Sequence, residues 1–556
     1  MGSILSRARL IYQTLKSISD SYLTLSNRIS LDPGLPVPDP SVSYWCIPPS
    51  PLAGIGSSKD IVLPLYADIV IIGSGISGTA IARTLLDCHS KSANKDTPLR
   101  VFMLEARDVC SGATGRLVCL CRNGGHISPN LYQDYPQLEA TYGASAAQQI
   151  IKFRLAHLPA FLAVAEEENL LRDSQARKIQ QLDVFLNDQL YQRAKKDLAT
   201  YLSALPEQKE SYKIYENRTA IQNLQLSSYV AGCLSTSGGA IHPYRLVTAI
   251  LARLLDTYPS FQLFTHTPCT DITSPGKGEN YVVSTPKGTV STPHVIHATN
   301  AWSSHLLPGM RRKIVPMRVH MTVQRPGRNL GAAPAGGAPW TGTRSFVFYP
   351  GTSPFAFDYL TQMPPPPAES PAAHSPYPPP AGEMMFGGGA MLGGRAESAL
   401  MDNIGIVDDT QCDFEVGAYL GGVLERYFAG WGAESGGDDV ADSVWGTGRM
   451  KAFWSGIMGL SADGQPWVGR LPRGISRRVE PQAKSHTIAS PGEWISAGFT
   501  GEGMTHAWLS GVALARMVLN LDGAPESSDL RLPSQFNITE KRWKEADIEA
   551  FFEGVV

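Results

Sequence analysis

Apolar residues run unbroken through Ile69 to Ile72 and stop at Gly73, the pattern of a strand buried on both faces. From Ile76 to Leu86 the apolar positions take helical spacing, and Leu99 to Glu105 is strand-like again. Between Tyr135 and about Glu216 the period is mainly helical, with Phe153, His157, Phe161 and Val164 on one face. A loop at Gly238 leads into an amphipathic helix from Pro243, followed by short strands at Phe261–Thr265 and Tyr281–Ser284. Thr289 to Asn300 reads as a hairpin-like pair that delivers a buried strand to a polar end. Further strands are expected at Ile314–Gln324 and Arg344–Tyr349, and Trp494 to Met517 repeats the order strand, glycine-rich turn, apolar helix.

Two proline-rich stretches break this pattern. Residues 31–66 read as a covering segment, and residues 363–382 as an exposed insertion whose low complexity cannot bury a core. Within residues 1–30, Ile4, Ile11, Leu15 and Ile18 have the spacing of an amphipathic helix, accompanied by Arg7, Arg9, Lys16 and Arg28 against the single acid Asp20. We read it as a helix docked on the body of a cytoplasmic protein, with a mitochondrial presequence as the alternative. Gly2 to Ser6 also fits the short N-myristoylation pattern.

Length and charge narrow the class. A chain of 556 residues can build two or more cores, and a net charge of -2 supplies no basic field for nucleic acid, so a small-molecule partner is expected. No run of 18 apolar residues predicts a transmembrane helix. Eight cysteines, single apart from Cys119 and Cys121, form no disulfide framework and suit a reducing compartment; CxC is poor zinc spacing, and no metal is expected. Nothing in the pattern addresses the oligomeric state.

The candidate chemistry sits where the first strand turns into a helix. Gly73, Gly75 and Gly78 form GxGxxG around Ile76 and Ser77: the first permits the bend, the second lets a pyrophosphate approach the backbone, and the third lets helix and strand pack closely. Phosphates would meet the free N–H groups at the helix start. Glu105, followed by Ala106 and Arg107, lies 27 residues past Gly78 and is placed to meet the adenosine ribose. An acid there favours FAD or NAD over NADP. Cys110 to Pro129 is a glycine-rich polar loop with a role near the cofactor, whereas His242, His294 and His297 lack any paired ligand spacing and read as structural.

These stretches, with IHPYRLV (residues 241–247), VIHATNAW (295–302), GIMGLSADGQPWVG (456–469) and GFTGEGM (498–504), occur in the order found in the FAD-dependent D-amino-acid oxidase and sarcosine oxidase superfamily. Over residues 66–520 the chain resembles that superfamily, in particular its gamma-glutamylputrescine-oxidase-like members. The resemblance implies an α/β fold with a discontinuous Rossmann-type FAD domain (residues 60–130, 230–310 and 455–525). It implies also an α+β substrate domain on a mixed or antiparallel sheet (131–229 and 311–454), flanked by residues 1–59 and a tail from 526 to 556. It places Gly112, Ala113, Thr114, Arg116, Asn123 and Gly124 along the flavin, with Gly464 nearby. The turn Gly498, Phe499, Gly501, Glu502, Gly503 and Met504 would close over the isoalloxazine, at the positive end of the helix that follows.

Two departures stand out. LVCLCR (residues 117–122) separates Arg116 from Asn123, and Glu502 stands where many relatives carry histidine. The activity implied is oxidation of a C–N bond in an amine or amino acid by hydride transfer to flavin N5, with oxygen as acceptor. The alternatives are a flavin dehydrogenase for another substrate and a silent binding protein. Arg318 or Arg344 would meet a substrate carboxylate, and Tyr359 would form an aromatic substrate wall.

Overall fold

The structure is a computed structural model that describes residues 2–58, 60–92, 97–116, 125–274, 276, 279–325, 330, 342–364, 382–389, 402–429, 431, 449–482, 488–521 and 531–550. Strand Ile69–Ile72 lies inside a six-stranded sheet, between Val101–Leu104 and His294–His297. Phe261–Phe264 extends one side and Gly492–Ala497 the other, all parallel, and Trp467–Arg470 closes the second edge antiparallel.

Both faces of this sheet are covered, which is why its strands read as unbroken apolar runs. Ile69, Ile71, Val101 and Met103 share a core with helices Ile76–His89, Pro243–Thr257 and Ala507–Val518. Val70, Ile72, Phe102 and Leu104 face the other way, onto Ile272, Val283 and Val290 of a three-stranded antiparallel sheet. Gly511 brings the last of those helices against the first: a Cβ there would lie 2.9 Å from the Ser77 carbonyl oxygen.

A nine-stranded sheet forms the second layer. Its path runs Met450–Ser461, Ile314–Gln324, Met384–Gly387, Asp358–Gln362, Arg344–Tyr349, Arg177–Phe185, Gly232–Ala240, His126–Ile127, and Lys213–Tyr215 also pairs with Gly232–Ala240. Only the pairing of Arg344–Tyr349 with Arg177–Phe185 is parallel. Val347, Tyr359 and Met385 belong to the core shared with the six-stranded sheet, whereas Phe346, Phe348 and Leu360 pack beneath helix Phe414–Gly422 in a separate cluster.

The stretch expected to be helical from Tyr135 to Glu216 is interrupted by Arg177–Phe185, a strand inside the large sheet. Its inward positions include Gln181 and Asp183, so apolar alternation is absent. Burial is sustained by hydrogen bonds instead: Tyr132 Oη and Gln181 Nε2 donate to Asp183 at 2.8 and 3.0 Å, and Ser345 Oγ donates to Gln181 Oε1 at 2.6 Å. The N-terminal helix, Gly2–Ser30, meets the body through its last turns, where Leu25 and Ile29 are buried. Of the proline-rich insertion, residues 365–381 lie outside the described residues.

Candidate functional site

The carboxyl ends of the parallel strands open into a cleft with about 1280 Å³ of unfilled space, open solvent included. Parallel sheets place ligands at this edge. One wall is Gly73 to Ser77 with Ile72 behind it; a second is Leu104 to Arg107; a third is Ala298 to Asn300 and Trp302. Gly112, Ala113 and Thr114 line the cleft beside the first helix, and Phe499, Gly501, Gly503, Met504 and Met458 line its far end.

Two of the three glycines of the turn, Gly73 and Gly78, have no room for a side chain. Gly73 has φ +108°, and a Cβ on it would lie 2.6 Å from the Ala298 carbonyl oxygen; one on Gly78 would lie 2.0 Å from that of Gly73. Gly75 caps helix Ile76–His89 without a side-chain hydrogen bond, so donors at the helix start face the cleft. Ile76 N donates to Thr114 Oγ1 at 3.0 Å. The Glu105 carboxylate is fixed on the wall: Oε2 accepts from Ser74 Oγ at 2.6 Å and Ser74 N at 3.1 Å, and Oε1 accepts from Arg107 N at 3.1 Å.

Other expected residues sit just behind the cleft surface. Arg116 is buried and pairs with Asp409 at 3.1 Å, and Arg107 pairs with the same carboxylate at 3.0 Å. Thus two arginines bracket one buried acid, and Arg116 serves as a tie between the strand-end loop, Ser41 and Ser455. Glu502 turns away from the cleft onto Arg154 Nη2 at 3.2 Å, while its neighbours Gly501 and Gly503 remain on the lining. Arg154 also pairs with Asp134 at 2.7 Å and donates from Nε to His506 Nε2 at 3.2 Å. His506 Nδ1 in turn donates to the Glu502 carbonyl at 3.0 Å. Burial, with the Arg154 charge beside it, pushes His506 well below its usual pKa, so the ring is the neutral Nδ1–H tautomer.

Gly498 (φ +75°) donates its N–H to Asn300 Oδ1 at 3.0 Å, and Gly464 (φ +73°) turns the chain between two strands; neither lines the cleft. Asn123, Gly124 and the 117–122 segment lie outside the described residues. Arg318 lies on another wall of the fold, beside His320 and Val416, with Nε donating to Asn403 Oδ1 at 3.0 Å. Arg344 Nε donates to Gln180 Oε1 at 3.1 Å. Tyr359 is buried on the sheet face turned toward the six-stranded layer, its ring 6.3 Å edge-on from His126. The histidines read as structural have structural partners: His242 Nδ1 caps its helix, His294 Nδ1 accepts from Trp494, and His297 pairs with Glu493.

Sequence reasoning missed the part of the lining contributed by Gly34, Leu35 and Pro36 from the proline-rich covering segment. It also missed Thr299, Asn300 and Trp302, although the polar end of the His294–His297 strand was the available signal. Trp302 Nε1 is buried at the cleft and finds no hydrogen-bond partner among the described residues. A strand-end cleft with a glycine cradle, helix-start donors, a fixed acid and an indole N–H that finds no partner among the described residues fits a dinucleotide.

The family model described as FAD dependent oxidoreductase (DAO) matches residues 68–517. The chain therefore belongs to this family of FAD-dependent oxidoreductases. Among solved structures, the glycine oxidase of Geobacillus kaustophilus is similar at 16% identity and TM-score 0.58, covering 86% of this chain and 99% of that one. The L-proline dehydrogenase of P. horikoshii is similar at 17% identity and TM-score 0.57, with 87% and 100% covered. The L-amino acid deaminase of Proteus myxofaciens, in complex with anthranilate, is similar at 14% identity and TM-score 0.54, with 91% and 96% covered. No curated protein sequence matches. At these identities the solved structures establish a common fold.

Proposed function

We propose that this FAD-dependent oxidoreductase oxidises a C–N bond of a small amine or amino acid and passes the electrons to oxygen. The observation that carries the reading is a single strand-end cleft running from the Gly73–Ser77 cradle to the Phe499–Met504 turn, in a chain of this family. Glycine oxidase and L-amino acid deaminase among the similar folds support the substrate class.

In this reading Gly73, Gly75, Ile76, Ser77 and Gly78 seat the pyrophosphate, and Glu105, with Ala106 and Arg107, receives the ribose. Gly112 to Thr114 and Phe499 to Met504 flank the ring, and Arg116, Glu502, Gly464 and Gly498 hold those flanks from behind. Bound FAD supplies the two-electron acceptor for a substrate α-hydride. The substrate nitrogen also loses a proton, leaving an imine that water hydrolyses; oxygen takes up two electrons and two protons as hydrogen peroxide. The chain's own contribution is to orient the amine and keep water out, with Tyr359 as the substrate-side aromatic.

A panel of amines and amino acids tests this. Peroxide release under air, with flavin bleaching when oxygen is removed, is the expected result. Bleaching without peroxide would instead support transfer to another electron carrier, the reading favoured by the similarity to an L-proline dehydrogenase. No bleaching with any C–N substrate would reject both.

A further inference from the structure

Helix Gly2–Ser30 is built into the protein at its C-terminal end. Its last turns are fixed by buried Leu25 and Ile29, by Tyr22 Oη donating to Glu549 Oε2 at 2.7 Å, and by Arg312, which pairs with Glu549. Residues 6–24 are exposed throughout, a rod of about 28 Å at the usual helical rise. A helix of that length gains little stability in water without packing on one face.

The exposed face is nevertheless apolar. Ile11, Leu15 and Ile18 are 60%, 62% and 61% exposed, and Tyr12, Tyr22 and Leu23 are 67%, 50% and 55% exposed. At about 100° per residue Ile11, Leu15, Ile18 and Tyr22 fall in one stripe, which Tyr12 and Leu23 widen on one side. Arg7 stands at one border of it, and Arg9 and Lys16 at the other. The only acid within residues 1–30 is Asp20, which lies on the polar face beside Arg9 and Lys16, so this helix carries net +3 in a chain of net -2.

Two occupants suit an apolar stripe: a second copy of the helix or a lipid surface. In a paired helix the positions flanking the Ile11, Leu15, Ile18, Tyr22 seam would be Tyr12, Thr14, Ser19 and Ser21, which carry no charge to match partners, and both copies would be positive. An acidic lipid surface instead complements both features: acyl chains receive the stripe and headgroups receive the bordering cations. No helix among the described residues is long and apolar enough to cross a membrane. We infer that residues 6–24 form an interfacial helix that seats this oxidoreductase on anionic membranes.

The test is flotation of the purified, flavin-loaded full chain with vesicles of phosphatidylcholine alone or with 30% phosphatidylserine, about a third being enough to set a strong surface potential. At least tenfold more protein is expected to float with the anionic vesicles, and most of it to be released by 0.5 M salt, at a Debye length below about 5 Å. The variant Ile11→Glu/Leu15→Glu/Ile18→Glu should lose flotation while keeping its melting temperature and flavin spectrum, because the three side chains touch nothing buried. Flotation unaffected by that variant, absence of flotation, or a dimer in sedimentation that the same variant dissociates would each overturn the inference.

Discussion

The two ends of the cleft are built by opposite means. At the Gly73 end, shape does the work: glycines with no space for a Cβ, a helix start, and residues contiguous in the chain. At the Gly501 end, charge holds the turn. Arg154 reaches from a helix 352 residues earlier than His506, and its guanidinium is shared between Glu502, Asp134 and that imidazole. A cradle defined by missing atoms is intolerant of additions, whereas a turn held by a buried cation is intolerant of subtractions.

The largest effect should come from removing that cation. Arg154→Met takes the ion pair from the buried Glu502 carboxylate and is expected to cost about 3–5 kcal/mol, read as a lower melting temperature. Arg154→Met with Glu502→Gln should recover much of it, since both charges then leave together. If the single and double variants melt alike, charge does not hold the far turn.

Acid should act on the same end. His157 is buried behind it, its Nε2 accepting from Leu509 N at 3.4 Å, and burial lowers its pKa from 6.5 to about 4. The unfolded chain then binds this proton more readily than the folded one. Stability is full above pH 6.5 and falls as the pH drops toward 4, by about 3 kcal/mol for this group. Thermal melts across that window should show the slope shrink in His157→Gln, and an unchanged slope would remove the assignment.

At the glycine end, Gly78→Ala places a methyl 2.0 Å from the Gly73 carbonyl oxygen. We expect a loss of about 1–3 kcal/mol and a protein that purifies without flavin absorbance. Retention of full flavin content would show that helix and strand can separate without harming the cradle. The smallest effect should be Tyr359→Phe, a few-fold rise in KM worth about 1 kcal/mol, with Arg318→Ala leaving KM unchanged because its guanidinium lies elsewhere.

This contrast also decides what could be read in advance. The glycine end was legible because its residues follow one another and each has a steric reason. Ile314–Gln324 and Arg344–Tyr349 were equally legible, their bounds matching the observed strands. Arg177–Phe185 was not, because buried Gln181 and Asp183 erase the alternation that marks a strand. Nor was the lining role of Gly34 to Pro36, which depends on tertiary placement of a segment whose composition signals only irregularity. Glu502 was visible as an unusual acid, but its partner Arg154 reads as one more helical cation until the fold brings the two together.

The cleft draws its lining from Gly34 through Ala507, and strand Gly492–Ala497 pairs directly with His294–His297 in the sheet that supports it. No part of the growing chain short of residue 507 contains the whole site. Flavin capture therefore waits on late synthesis: a chain halted anywhere between residues 79 and 490 carries the glycine signature but lacks the Phe499–Ala507 part of the cleft.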